Sequence, residues 1–304
     1  MKQLAELGPD AYSKPSEPLN YIKALIESQA SEGADYIAVN LDAFGECDQQ
    51  VAIDMMLEYV KMVRRWGGGV PVCIDSSNDE VLKAGLKEWY NSDQQVARPL
   101  LNSVKVYTMD NILQMKKNFD FAFVGLLVGK EPQTSTGGLD SVEELYSLAR
   151  KIFEEAVKKY SFEPGEIFFD STVSPLVIDM AMEPNMPGHT YRAFETIKKI
   201  KSDPNMKGVH CSLGVSNCVR DLPGRRIGVC RAYVAKAMEY GLDAGIVNVA
   251  HHYGHVKPAP DLLELVDAHA KMDGSPERMN RAATLMRKFC EENRKPQSSI
   301  ANPH

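Results

Sequence analysis

A TIM (β/α)8 barrel whose first strand is weak or displaced is the fold that the sequence predicts, on three observations. Short apolar runs of strand length alternate with amphipathic helical stretches from about residue 17 onward, as in parallel sheets covered by helices. The chain has 304 residues, a length that such barrels reach as one domain. No glycine-rich phosphate loop follows any predicted strand, which disfavours an open doubly wound sheet. Residues 1–304 are therefore predicted to form a single domain.

Seven segments have the composition of strands buried on both faces, because they are nearly continuous in apolar residues and rich in Val, Ile and Phe. In chain order they are 35–40, 70–75, 99–103, 121–128, 166–170, 208–213 and 244–248. A closed barrel needs one more. We expect the missing strand to be the first, since the N-terminal segment offers only Leu4, Ala5 and Leu7 as apolar material.

Helices are predicted between these strands and have recognisable ends. The main stretches are 21–31, 49–65, 141–159, 191–201 and 226–240. Ser141, with Glu144 three residues later, has the spacing of a capping box at a helix start. Gly241 follows the last of these stretches and is a typical stop signal.

The composition excludes several classes of function. With 35 basic against 41 acidic residues the net charge is -6, which argues against a nucleic-acid partner. No apolar run reaches the roughly 20 residues of a membrane helix, and the N-terminal segment lacks the apolar core of a signal peptide. The six cysteines include no CxxC pair and are expected to be reduced. We expect a cytoplasmic enzyme that needs no membrane.

Carboxylates and carboxamides follow the predicted strands at their C-terminal ends, where barrel active sites form. Carboxylates accept two hydrogen bonds from a ring N–H and its neighbouring amino group, and carboxamides both donate and accept. The 2-amino-4-oxo edge of a pterin or of guanine has this pattern. Helix capping accounts for single members of the set, but it does not require Asn at four positions. The set is Asn40, Asp75, Asn102, Asp170, Asn217 and Asn248.

Five short segments are spread over most of the chain in the order GADYIAVN (33–40), VCIDSSNDEVLKAGLK (72–87), LNSV (101–104), GVSN (214–217) and GLDAGIVN (241–248). Together they resemble the pterin-binding methyltransferase family. That family includes methyltetrahydrofolate:corrinoid protein methyltransferases and the folate domain of cobalamin-dependent methionine synthase. The resemblance implies that Asp75, Asn102 and Asp170 hydrogen-bond the pterin ring. It implies that Asn217 reaches the reacting N5 atom and is the catalytic residue.

The resemblance extends to further positions and also has gaps. Asn40 matches the Asn that ends the family's second strand. Arg225 or Arg226 matches a basic loop residue near the site; the loop is one residue longer here, which leaves both open, and Arg226 is taken as the pterin-binding one. Nothing corresponds to the family's first strand. Val128 and Gly129 replace its usual Met-Asn pair, and Lys130 is a candidate for the folate glutamate tail.

The activity that the resemblance implies is transfer of a methyl group between a corrinoid cobalt and N5 of tetrahydrofolate. Tetrahydrofolate or 5-methyltetrahydrofolate is then the substrate, and we expect the direction from methylcorrinoid to tetrahydrofolate, as in catabolic demethylation. The alternatives are the reverse direction, a dihydropteroate synthase-like enzyme, and a non-catalytic pterin-binding subunit. Residues 267–272 only approach the corrinoid-binding pattern Asp-x-His-x-x-Gly and lack its glycine. The corrinoid is therefore expected on a transient partner protein.

The sequence also contains three closely spaced histidines whose role has to be predicted. His251, His252 and His255 follow the last predicted strand. Two adjacent histidines point apart on a regular backbone and no cysteine lies close in sequence, so we expect them to line the rim of the site and expect no bound metal. We expect the chain to form a homodimer.

Overall fold

The computed structural model describes residues 1–129, 141–179 and 186–294. Within these residues six parallel strands form one sheet, in which each strand pairs with the next along the chain. Helices connect successive strands, and the strands follow one another in chain order as they do in a barrel. The predicted α/β barrel-type fold is therefore confirmed. The strands are β1 Ile37–Asn40, β2 Val72–Asp75, β3 Leu100–Val104, β4 Ala122–Leu126, β5 Ile167–Asp170 and β6 His210–Ser212.

The predicted helices form close to their expected bounds. The Ser141 and Glu144 capping box is present with both of its hydrogen bonds, and Gly241 has the left-handed φ of +107° that a helix stop requires. The helices are α1 Lys2–Glu6, α2 Glu17–Ser31, α3 Gln49–Trp66, α4 Asp79–Tyr90, α5 Met109–Leu113, α6 Val142–Tyr160, α7 His189–Ser202, α8 Arg226–Glu239, α9 Pro260–Ala270 and α10 Pro276–Asn293.

The N-terminal segment forms helix where a regular barrel has its first strand. Helix α1 and the 3-10 helix Pro9–Tyr12 precede α2, so the prediction of a weak or displaced first strand is confirmed. The segment has too few apolar side chains for a strand buried on both faces. Its residues instead form a short helix that buries one side chain completely, Leu4.

The segment predicted as a seventh strand at 244–248 does not form a regular strand. Its one bridge joins Gly214 and Ile246 in parallel, and the Ile246 N–H donates to the Leu213 carbonyl at 3.0 Å. It therefore pairs along β6 on one side only. On the other side Gln29 Nε2 of α2 donates to Asn248 Oδ1 at 3.4 Å. Because no first strand is present to pair with it, the sheet stays open between this segment and β1.

Two apolar clusters lie on opposite faces of the sheet. The larger cluster packs the helices against the strands and includes Ile74, Leu101 and Phe169. Because side chains alternate along a strand, the neighbouring residues face away from the helices, into the concavity of the sheet. These form what we call the inner cluster: Cys73, Leu100, Ala122 and Val124, with Tyr36 and Phe168 packed against them.

Two further features bear on the predictions from composition. All six cysteines are free thiols, and four of them are buried. Among the residues that the structure describes, no helix combines the length and the apolar character needed to cross a membrane.

The packing of α1 on the core is tested by a pair of leucine substitutions. Leu4→Ala is expected to lower the free energy of unfolding by about 2–4 kcal/mol, because it removes fully buried methyl groups. Leu7→Ala is the control, since Leu7 is 59% exposed and should change stability by less than about 0.5 kcal/mol. Urea denaturation measures both, and equal effects would show that α1 does not pack as described.

Candidate active site

The polar residues at the strand ends lie on the concave face of the sheet. Asp75, Asn102 and Asp170 each stand two positions after a residue that belongs to, or packs on, the inner cluster. Because side chains repeat their direction every second residue, all three point into the same concavity. They stand at the C-terminal ends of β2, β3 and β5, which is where barrel active sites form.

Asn40, Asp75 and Asn102 form a row across three neighbouring strands. Asn40 pairs with Asp75, and Asp75 pairs with Asn102. Asn40 Nδ2 donates to Asp75 Oδ1 at 3.2 Å, and the Asn102 side chain also hydrogen-bonds the Asp75 carboxylate. Asn102 is buried, Asp75 is half-buried and Asn40 is exposed. The row therefore runs from the solvent-facing edge into the interior.

Asp170 is the second carboxylate of the site and is only 7% exposed. It pairs with Ser212 at the end of β6. Its Oδ1 accepts a hydrogen bond from the Thr172 N–H at 2.7 Å, and the Gly214 N–H donates to it as well. The loops that follow β5 and β6 thus both hold this side chain.

Burial raises the pKa of both carboxyl groups from the ordinary 3.8 to about 6. For Asp75, hydrogen bonds from neighbouring amides oppose the rise and the charge of Asp42 adds to it. For Asp170, two backbone N–H groups oppose the rise and the charge of Asp75 adds to it. The two carboxylates therefore interact within one site. Among the residues that the structure describes, the groups that act on either pKa include no basic side chain.

Asn217 lies in the 3-10 helix Val215–Val219, directly after β6. Its side chain is half-buried. Its Oδ1 accepts a hydrogen bond from Arg220 at 3.5 Å, and its Nδ2 lies beside Gly214, whose N–H binds Asp170. The loop after β6 therefore brings the predicted catalytic carboxamide to the neighbourhood of Asp170.

The two candidate arginines differ in their contacts. Arg225 forms an ion pair with Asp261 at the start of α9, in which Nη2 donates to Oδ1 at 3.2 Å. Arg226 begins α8, is exposed, and donates from Nε to the Leu222 carbonyl at 3.0 Å. Among the described residues, no carboxylate forms an ion pair with Arg226. The geometry favours Arg226 as the arginine available to a ligand, and its role stays a prediction.

Asn248 and the three histidines lie on the loop that follows the open end of the sheet. Asn248 is exposed and its Oδ1 accepts from the Ala250 N–H at 3.1 Å, so it caps a local turn. His251 Nδ1 is 2.7 Å from the Tyr253 hydroxyl, while His252 and His255 are exposed. In the part of the chain that the structure describes, no group of three His, Cys, Asp or Glu side chains has the geometry of a metal site.

Two further candidates from the sequence are His269, which is buried in a helix, and Lys130, which is not among the described residues. His269, in the stretch that approaches a corrinoid-binding pattern, is buried within α9, with its Nδ1 2.9 Å from the Leu265 carbonyl oxygen. It packs as a core residue of that helix. Lys130 lies outside the described residues.

Four residues near the site did not emerge from the sequence as site residues: Asp42, Ser76, Ser77 and Lys105. Asp42 accepts hydrogen bonds from Ser76 Oγ and from the Ser77 N–H, and the buried Lys105 donates to the Ser77 carbonyl at 2.6 Å. Each lies one or two positions beyond a strand end, which was the available signal. Their contacts join the loops after β1, β2 and β3, and the sequence does not show that these loops meet.

Fold and site together define an α/β barrel-type protein with two carboxylates, held by neutral hydrogen-bond donors, and several carboxamides at the C-terminal ends of its strands. A family profile described as "Pterin binding enzyme" matches residues 7–248. The chain belongs to this family.

Two individual proteins are similar to the chain over most of its length. A "Methylcorrinoid:tetrahydrofolate methyltransferase" from Eubacterium limosum is 26% identical over 235 residues, which is 75% of this chain and 76% of that protein. A crystal structure of dihydropteroate synthase from Stenotrophomonas maltophilia, with imidazole bound in its active site, aligns at a TM-score of 0.48 and 16% identity. That alignment covers 80% of this chain and 84% of the other.

The stability of the ligand-free protein should depend on the protonation of Asp170. Because the folded state raises its pKa from 3.8 to about 6, the stabilising contribution is complete below pH 3.8 and is lost as the pH rises through about 6. Each tenfold change in proton affinity corresponds to about 1.4 kcal/mol. Asp170→Asn, which cannot ionise, should therefore gain on the order of 2 kcal/mol relative to the wild type between pH 4.5 and pH 7.5.

Urea denaturation at the two pH values measures this difference. Asp110→Asn is the control, because hydrogen bonds from Lys159 and Tyr160 lower the pKa of Asp110. The stabilising contribution of Asp110 is lost only as the pH falls below about 3.8, so the stability of its variant relative to the wild type should stay nearly constant between pH 4.5 and pH 7.5. A difference for Asp170→Asn that does not change with pH would contradict the described burial of its carboxylate.

Proposed function

We propose that the protein is a methyltransferase that moves a methyl group from a methylcorrinoid, carried by a partner protein, to N5 of tetrahydrofolate. The observation that carries this proposal is the position of Asn217 beside the carboxylate pocket. The loop after β6 uses Gly214 to bind Asp170 and presents Asn217 three residues later. A site that only bound the edge of the pterin ring would not need Asn217 in addition to the residues that hold that edge.

The two carboxylates are suited to the amino-oxo edge of a pterin. That edge presents ring N–H and amino groups, and an ionised carboxylate is an acceptor with about four lone-pair sites. Asp75 is half-buried and Asp170 is buried, and no basic side chain among the described residues acts on either, so each retains capacity for a donor supplied by a ligand. Asn102 adds a buried amide between them and Asn40 an exposed one at the edge. This pairing supports Asp75, Asn102 and Asp170 as the residues that bind the ring.

The proposed transfer is a displacement at the methyl carbon. The N5 lone pair of tetrahydrofolate forms the new N–C bond while the electron pair of the cobalt–carbon bond stays on the corrinoid, and the proton of N5 then leaves to solvent. Positive charge develops on N5 during the step. The Asn217 carboxamide oxygen can accept the N5–H hydrogen bond, which strengthens as that charge develops.

The corrinoid is supplied by a partner in this proposal. The similar protein from Eubacterium limosum is a methylcorrinoid:tetrahydrofolate methyltransferase, which supports both the substrate pair and the direction. Arg226 lies exposed at the start of α8 and is proposed to face the folate or the docked partner. A transient encounter is expected, because the partner must leave after each transfer. The homodimer stays a prediction.

Removal of one carboxylate should weaken folate binding. Asp75→Asn loses charge-assisted hydrogen bonds to the pterin edge, each worth about 1.5–3 kcal/mol, so the dissociation constant of tetrahydrofolate should rise at least about tenfold. Calorimetric titration measures it. Asp93→Asn is the control, since Asp93 is exposed and precedes β3 at the other end of the sheet. Equal affinity of Asp75→Asn and wild type would remove Asp75 from the pterin site.

Asn217→Ala separates a role in the transition state from a role in binding. The transfer rate at saturating folate should fall by on the order of 10²–10³, as when one oriented hydrogen-bonding group is lost. Folate affinity should fall by only about 0.5–1.5 kcal/mol. Single-turnover kinetics with a methylated corrinoid protein measures the rate from the change in cobalt absorbance.

The neighbouring Ser216 provides the matched control for this experiment. It is exposed in the same 3-10 helix, and Ser216→Ala should leave rate and affinity close to the wild type. Thermal melting of both variants shows whether the loop is intact. A stable Asn217→Ala protein that transfers methyl at the normal rate would rule out the proposed function of Asn217.

A further inference from the structure

The turn Ser76–Ser77, which follows Asp75, is held by the loops of both neighbouring strands. From the side of β1, Asp42 Oδ1 accepts from Ser76 Oγ at 2.5 Å and Asp42 Oδ2 accepts from the Ser77 N–H at 2.7 Å. From the side of β3, Lys105 Nζ donates to the Ser77 carbonyl at 2.6 Å. The backbone of the turn is therefore fixed from two directions, immediately beyond a carboxylate of the candidate site.

Asp42 is also joined to Asp75 through the exposed end of the polar row. Asn40 donates from Nδ2 to Asp75 Oδ1 at 3.2 Å and accepts from the Asp42 N–H through its Oδ1 at 3.2 Å. One amide thus bridges the two acidic residues. The Asp42 carboxylate is half-buried, and both of its oxygens are occupied by the turn rather than by a cation.

We propose that Asp42 is a positioning residue: it holds the Ser76–Ser77 turn so that Asp75 keeps its alignment, and its negative charge favours the protonated form of Asp75. The functional consequence rests on the proposed pterin site. An ionised Asp75 accepts the ring N–H groups, and a protonated one does so less well. The charge of Asp42 therefore moves to higher pH the point below which the site loses affinity for its ligand.

The surroundings of Asp75 support an electrostatic effect from Asp42. Burial is the largest cause of its raised pKa of about 6, and the charge of Asp42 raises it further. The amides of the row oppose this, and no basic group contributes among the residues with described positions. The titratable groups that face Asp75 are Asp42 from the loop after β1, Cys73 two residues earlier on β2, and Asp170 from β5.

Two substitutions separate the charge of Asp42 from its hydrogen bonds. Asp42→Asn removes the charge and keeps a side chain that can still accept from the turn. Ser76→Ala removes one hydrogen bond to Asp42 and leaves the charge in place. If Asp42 acts through its charge, the first variant changes the proton affinity of Asp75 and the second does not.

The proton affinity of Asp75 is measured directly in the ligand-free protein. Aspartate labelled with ¹³C at the carboxyl carbon gives one titration curve per residue by NMR, and the Asp75 signal is assigned by its loss in Asp75→Asn. We expect Asp42→Asn to lower the proton affinity about threefold, which moves the midpoint down by roughly half a pH unit. Ser76→Ala should keep the wild-type midpoint.

The same variants are then titrated with tetrahydrofolate between pH 5 and pH 8. In the wild type, binding should weaken as the pH falls through about 6, and in Asp42→Asn this weakening should begin at lower pH. Ser76→Ala should weaken binding by a similar factor at every pH. Asp42→Ser, which removes the same charge and retains a hydroxyl, takes the place of Asp42→Asn should the latter fail to fold.

The outcomes distinguish this proposal from the proposed function. An Asp75 midpoint that is the same in Asp42→Asn and wild type overturns the proposal. A shift of equal size in Ser76→Ala overturns it too, because the cause would be loosening of the turn rather than charge. If the midpoint shifts as expected and the wild type binds no tetrahydrofolate at any pH, the proposed function fails while the control of Asp75 by Asp42 stands.

Discussion

Two carboxylates share one concavity, and within the described part of the chain no basic side chain acts on them; this is the constraint on which the rest of the site depends. Taking a carboxylate out of water is costly unless hydrogen bonds replace the lost hydration. The chain meets this need with neutral donors: carboxamides across the strand register for Asp75, and backbone N–H groups of two loops for Asp170. Burial still outweighs these donors, since the pKa of both groups remains raised. The site is therefore incompletely compensated until a ligand supplies further N–H groups.

The sheet register turns this local chemistry into a shaped surface. In-register pairing of β1, β2 and β3 sets Asn40, Asp75 and Asn102 at one level, and side-chain alternation directs them inward, above the inner cluster. The cluster beneath is apolar, which lowers the local dielectric and strengthens every polar contact above it. On the other side of the site, the Gly214 N–H in the loop after β6 donates a hydrogen bond to Asp170. Fold and electrostatics thus depend on the same few strand ends.

Much of the fold followed from the sequence because parallel strands buried on both faces read as continuous apolar runs. The six strands could be predicted on that basis. The helix start at Ser141 could be predicted from its capping-box spacing. The segment at 244–248 has the same composition, yet it pairs on one side only, and composition does not report which neighbours a strand will find. Asp75, Asn102 and Asp170 were predictable from their place after apolar runs. Asp42 and Lys105 were not, since their contacts depend on how three loops meet in space.

In the proposed pterin site, this incomplete compensation would favour a ligand with paired N–H donors. At pH values near 6 each carboxylate exchanges between a protonated form, which the buried setting favours, and an ionised form, which accepts two donors. A ligand that brings such donors stabilises the ionised form and so lowers the pKa of the group it contacts. Binding then releases protons, by the same linkage that makes the ligand-free fold more stable when these groups are neutral. In the proposed site, the free-energy cost of burying two carboxylates therefore favours a ligand whose edge carries paired N–H donors.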